Sequence, residues 1–162
     1  MLTQARLKEV LKYDRKTGVF TWLKRGKGHS NRKQGVAGCL SGEYQRIRVD
    51  GVLYHAHRLA WLYVHGVWPC YVDHRRGGRN SLHNLRECTH QQNMANVKKR
   101  RDNTSGFKGV SRTSGASTWH AQIRSRHLGC FADPRDAARA YDAAAVREYG
   151  AFAKTNRSMG LL

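Results

Sequence analysis

Along GEYQRIRVDGVLYHAHRL, residues 42–59, apolar and polar positions alternate on either side of Asp50-Gly51. That is the period of a half-buried strand around the dipeptide preferred in two-residue turns, so a hairpin is expected. The pattern then changes. In HAHRLAWLYVHG, Leu59, Leu62 and Tyr63 recur at helical spacing, Gly66 offers a C-terminal cap, and Trp68-Pro69 follows. Nearer the start, residues 3 to 12 read as a short helix, and Lys16-Thr17-Gly18 as a turn leading into a strand.

From Met94 to Gly106 the apolar period is lost and Lys98, Lys99, Arg100 and Arg101 gather before a polar turn cluster. This stretch reads as a basic linker, residues 98–106. Beyond it, FKGVSR, TWHAQIR and HLGCFA are three expected strands, and Asp133-Pro134 opens a helix that runs through Tyr149 to Gly150. Its alanines, from Ala137 to Ala145, let it lie close to a sheet. In the second strand Trp119, Ala121 and Ile123 share one face, and His120, Gln122 and Arg124 share the other. The expected domains are 1–97, the linker, 107–156 and a tail, 157–162.

Charge turns this α+β outline toward a partner. Thirty Lys and Arg against 11 Asp and Glu give a formal charge of +19 over 162 residues, which points to a polyanion, with nucleic acid foremost and an anionic membrane surface as the main rival. No apolar run is long enough for a bilayer and no strongly basic amphipathic helix stands out, so no membrane partner is expected, and the N-terminus lacks a signal-peptide core, which makes the cytoplasm the default compartment. Cys39, Cys70, Cys88 and Cys130 are scattered without a C-x-x-C pair, so no structural zinc is expected. A monomer is the favoured state.

Candidate chemistry concentrates in VDHRRGGRNSLHNLRECTHQQN, residues 72–93. Asp73 stands beside His74 in a strongly basic region, Asn84 lies ten residues on, and Asn93 sits in an expected helix start after Thr89. A strand with Asp73 and His74, a Gly77-Gly78 turn, a return strand through Leu85-Arg86 and a helix from about His90 make a ββα unit. Adjacent strand residues face opposite ways, so a twist or bulge is expected if Asp73 and His74 share a cleft. Hydrolysis of a phosphodiester needs an activated water and neutralisation of phosphate charge. His74 can take the proton, and Asp73 and the Asn93 amide are hard oxygen ligands for magnesium or manganese. The bland alternative for Asp73 is a surface ion pair with Arg75, Arg76 or Arg79. Arg86 is expected to touch a phosphate. His55, His57 and His65 are expected to be structural.

These residues resemble the HNH endonucleases, especially phage and intron homing enzymes of the H-N-N variety. The resemblance extends over residues 1 to 97 and includes a Tyr-x-x-His-Arg-Leu-x-Trp helix, matched by Tyr54, His57, Arg58, Leu59 and Trp61. It implies a ββα-metal fold, His74 as general base, Asn84 as loop brace, and Asp73 with Asn93 as ligands of one divalent ion. The turn after His74 is two residues shorter than in relatives.

The C-terminal half resembles the plant ethylene-response-factor type of DNA-binding domain through Gly109-Val110, Trp119, Ala121, Ile123, Leu128-Gly129, Phe131 and AARAYDAAA. This implies a three-stranded antiparallel sheet packed on one helix and laid in the major groove. Its matching contacts are Lys108, Gln122, Arg124 and His127, with Arg112 and Arg126 nearby. The combined expectation is a metal-dependent DNA endonuclease, nicking or cutting both strands. A non-catalytic DNA-binding regulator with a decayed nuclease centre is the alternative.

Overall fold

Thr3 Oγ1 accepts the Arg6 amide at 3.2 Å and opens helix α1, Gln4–Val10. The helix ends earlier than expected because strand β1, Leu11–Tyr13, pairs antiparallel with β2, Phe20–Trp22, and Leu11 and Tyr13 alternate into the core around Lys12. The computed structural model describes residues 1–23, 35–113, 115 and 117–162, which fall into two units, 1–89 and 90–162. Its architecture is mixed α and β with small antiparallel sheets.

In the first unit, β3 (Cys39–Ser41), β4 (Tyr44–Val49) and β5 (Val52–His55) form an antiparallel sheet in that order. The expected hairpin joins β4 to β5, with Asp50 at φ 46° and Gly51 at φ 81°, both in the left-handed region that a tight hairpin turn requires. Strand β3 was not legible, because all three of its residues are exposed and it carries no apolar alternation. Helix α2, Ala56–His65, closes at Gly66, whose amide bonds the Leu62 carbonyl at 3.0 Å. Leu7, Leu11, Phe20, Ile47, Leu59 and Leu62 fill the core, with Trp22, Trp61 and Trp68 packed at its margin. Each such large apolar side chain contributes roughly 1.5–3 kcal/mol. Strands β6, Tyr71–His74, and β7, Leu85–Cys88, pair antiparallel, with a short 3-10 helix, Leu82–Asn84, leading into β7.

In the second unit, α3, His90–Ala95, packs against α4, Pro134–Tyr149. The three expected strands are β8 (Val110–Arg112), β9 (Trp119–Ile123) and β10 (Arg126–Phe131), ordered β10-β9-β8 and all antiparallel. Ala137, Ala138, Ala144 and Ala145 are buried as α4 lies against this sheet. Gly109, at φ +74°, has the Tyr141 ring where a Cβ would be, at 1.9 Å, so strand and helix meet there without a side chain between. Asn156 is fully buried and ties the end of the chain down: its Oδ1 accepts the Lys108 amide at 2.7 Å and its Nδ2 donates to Asp142 at 2.9 Å. No helix among the described residues is long and apolar enough to cross a membrane.

Candidate functional site

Asp73 and Arg86 are direct cross-strand partners, and register explains their pairing. Oδ2 of Asp73 accepts Arg86 Nε at 2.9 Å and Nη2 at 2.7 Å, with the side chains 7% and 11% exposed. The ion pair weighed for Asp73 therefore exists, but it is buried and uses Arg86 in place of Arg75, Arg76 or Arg79, whose side chains are exposed. Arg86, expected to reach a phosphate, is turned to this carboxylate instead. The four pairs of β6 and β7 run in continuous register, so the expected bulge does not occur there. Asp73 turns to Arg86 while His74 turns the other way, as strand alternation dictates.

His74 lies beside the rings of His57, 5.1 Å away edge-on, and Tyr44, 6.4 Å away. Its Nε2 is 3.0 Å from Asn80 Oδ1. Asn80 is itself buried and held on several sides: Nδ2 donates to Gln45 Oε1 at 3.1 Å, and its carbonyl accepts the Tyr13 hydroxyl at 2.6 Å. The Asp14–Gly18 turn also presses on it, since a Cβ at Gly18, φ +79°, would lie 2.3 Å from the Asn80 carbonyl carbon. His57 is pushed down to about 3, mainly by burial and then by His74, His55 and Arg58, so it stays neutral beside His74. Burial, with Arg46 and Arg58, also lowers His55.

Asn84, 7% exposed, clamps the turn that follows His74. Its Oδ1 accepts the Arg76 amide at 2.8 Å, and its Nδ2 donates to the carbonyls of Arg76 at 2.8 Å and Arg79 at 2.7 Å. The Arg75 amide donates to the Asn84 carbonyl at 2.8 Å. One side chain thus fixes both ends of a loop whose middle, Gly77, sits at φ 53°.

In the second unit, Asn93 is half-buried on α3. Gln122, Arg124, Arg126, His127 and Arg112 are exposed on or beside the small sheet; Gln122 and its cross-strand partner His127 lie on the face opposite buried Ala121 and Ile123, whereas Arg126 pairs with Ile123 and Arg112 with Trp119 and so share the face of the buried residues. Arg124 and Arg126 approach Glu148 at 3.4 and 3.5 Å, Arg112 lies over Trp119, and His127 stacks on His120 at 4.2 Å. Lys98, Arg100 and Arg101 are exposed and Lys99 is half-buried, with Arg100 paired to Asp102 at 2.8 Å. Lys108 departs from the expected outward aim. Its ammonium donates to the carbonyls of Val97 at 2.6 Å, Ala95 at 2.7 Å and Lys154 at 3.3 Å. Burial first, and then Lys154, push its pKa down to about 8.

Sequence reasoning gave neither Gln45 nor Asn80 a role in the site. A signal for Gln45 existed: it shares the inward face of β4 with Ile47 and Val49, and a polar residue on such a face has a partner to satisfy.

Residues 54–95 match the family described as HNH endonuclease, a span that contains His57, Asp73, His74, Asn80, Asn84, Arg86 and Asn93. The match supports an HNH nuclease acting on DNA. No curated protein and no solved structure matches the chain.

Proposed function

We propose that the protein is a metal-dependent endonuclease that hydrolyses phosphodiester bonds in double-stranded DNA, with a ββα-metal nuclease module in residues 1–97 and a DNA-reading sheet of ethylene-response-factor type in 107–156, joined by the basic linker 98–106. Homing of a mobile intron or gene in a phage or its host is the biological setting. The observation that carries the reading is His74: it stands in the family-matched segment, held by Asn80, at the start of a loop clamped by Asn84.

In this reading His74 takes the proton from the attacking water, and Asn84 keeps the loop from moving as it does so. Asp73 and Asn93 would be the residues to hold one divalent ion, magnesium or manganese. The donor set fits such an ion by its chemistry, one carboxylate and one amide oxygen, both hard, with the remaining positions left to water and phosphate. When bound, the ion supplies positive charge at the scissile phosphate and the departing 3′ oxygen. Arg86 keeps the Asp73 carboxylate in one orientation. Gln122, Arg124, Arg126, His127 and Arg112 face DNA.

The regulator reading draws on one observation, that Arg86 already neutralises Asp73. Supercoiled plasmid separates the two. The endonuclease relaxes or linearises it with magnesium or manganese and not with chelator, and His74→Ala cuts at least roughly 100-fold more slowly. DNA affinity of His74→Ala stays near the parent's, because phosphate contacts elsewhere dominate it. Binding without metal-dependent cleavage in the parent establishes the regulator.

A further inference from the structure

His74 can accept a water's proton only through the ring nitrogen that lacks one, and a chain of contacts decides which nitrogen that is. The Ala37 carbonyl is an acceptor and nothing else. Gln45 donates Nε2 to it at 2.8 Å, which fixes the amide of Gln45 with its oxygen turned away. That oxygen accepts Asn80 Nδ2 at 3.1 Å. The Asn80 amide is thereby fixed as well, with Oδ1 toward His74 Nε2 at 3.0 Å. An amide oxygen cannot donate, so the proton in that contact belongs to His74 Nε2 and the basic lone pair to Nδ1. Turning the ring over would require both amides to reverse, and Gln45 would then set its oxygen against the Ala37 carbonyl oxygen. The backbone at Asn80 is pinned independently by the Tyr13 hydroxyl at 2.6 Å.

We propose that Gln45 is a positioning residue that sets the tautomer of His74 through Asn80, with Nδ1 as the proton-accepting nitrogen. Gln45 lies outside the segment matched to the HNH family. The inference rests on the reading of His74 as general base, and the test keeps the two apart.

Two substitutions of opposite hydrogen-bonding sense probe the relay. Gln45→Glu gives up the bond to the Ala37 carbonyl, so its carboxylate must turn away from that oxygen, but it remains an acceptor toward Asn80 Nδ2 and so keeps the Asn80 amide as it is. Gln45→Lys is a donor only, turns the Asn80 oxygen toward itself, and presents Nδ2 to the ring. Nitrogen-15 NMR of the neutral His74 ring in full-length protein reads the tautomer directly. The parent and Gln45→Glu are expected to carry the proton on Nε2, and Gln45→Lys on Nδ1. Single-turnover cleavage by Gln45→Lys is expected to fall by roughly 10-fold or more relative to Gln45→Glu, since the wrong tautomer presents an N–H where a lone pair is needed. A proton on Nδ1 in the parent, or on Nε2 in Gln45→Lys, overturns the relay. If the tautomers change as expected while His74→Ala still cleaves at the parent rate, the relay stands as geometry and the base assignment fails.

Discussion

Arg86 sets two N–H groups on one oxygen of a carboxylate that is almost out of water. Removing one partner of a buried pair costs more than the pair itself contributes, because the remaining charge has no solvent. Arg86→Ala is therefore expected to destabilise the protein by roughly 3–5 kcal/mol in urea unfolding, while loss of an exposed arginine, as in Arg79→Ala, changes stability by at most about 0.5 kcal/mol. Equal small losses would mean the carboxylate is not buried. His57 gives a second signature. Its folded value is pushed down to about 3, whereas an unfolded imidazole titrates near about 6.5. Between these values the unfolded chain binds more protons, so this contribution is complete above about 6.5 and is lost as pH falls toward 3. Urea midpoints at neutral and acidic pH should fall more steeply in the parent than in His57→Gln, and parallel falls would remove the assignment. At this scale Asp73, His74 and Asn84 were legible as polar groups in one short basic stretch. Their partners were less so, because Gln45 and Tyr13 meet Asn80 across 35 and 67 residues of chain.

Elements place these residues by simple rules. Strand alternation sends Asp73 and His74 to opposite faces, register brings Arg86 opposite Asp73, and the 3-10 turn before β7 aims Asn84 back into the loop. The hairpin at Asp50-Gly51, helix α2 and the three C-terminal strands were readable because turn residues punctuate clear apolar periods. Strand β3 and the early end of α1 were not, since both depend on pairing with the next strand along the chain and on no local apolar period. Asn84 carries three side-chain hydrogen bonds to the loop backbone, and no other residue type supplies that donor and acceptor set at this length. Asn84→Asp keeps the acceptor and loses both donated bonds. Its expected consequence is faster amide exchange in residues 75–79 and a loss of cleavage, with the core of the first unit intact by circular dichroism. Unchanged exchange in that loop would show that Asn84 does not clamp it.

At the scale of the whole chain the positive charge is spread over both units, but one lysine is engaged in a different task. Helix α3 has six residues, too few to persist without packing. Its last carbonyl, that of Ala95, is capped by Lys108 at 2.7 Å, which also bonds the Val97 carbonyl just beyond the helix at 2.6 Å, and the Lys154 amide reaches Ala95 at 3.4 Å. The helix carrying Asn93 is thus built into the same unit as the basic sheet. Lys108→Met separates a cap from a DNA contact. A phosphate-contacting lysine takes about 0.9 from the slope of log affinity against log salt when it is removed, because one counterion fewer is released. A lysine that caps a helix leaves that slope alone, while amides of residues 91–97 exchange faster. Direct manganese binding, followed by the spin resonance of the remaining aqueous ion, should then weaken in Lys108→Met in the same direction as in Asn93→Ala. A reduced salt slope with unaltered exchange in α3 would return Lys108 to the DNA-contacting set.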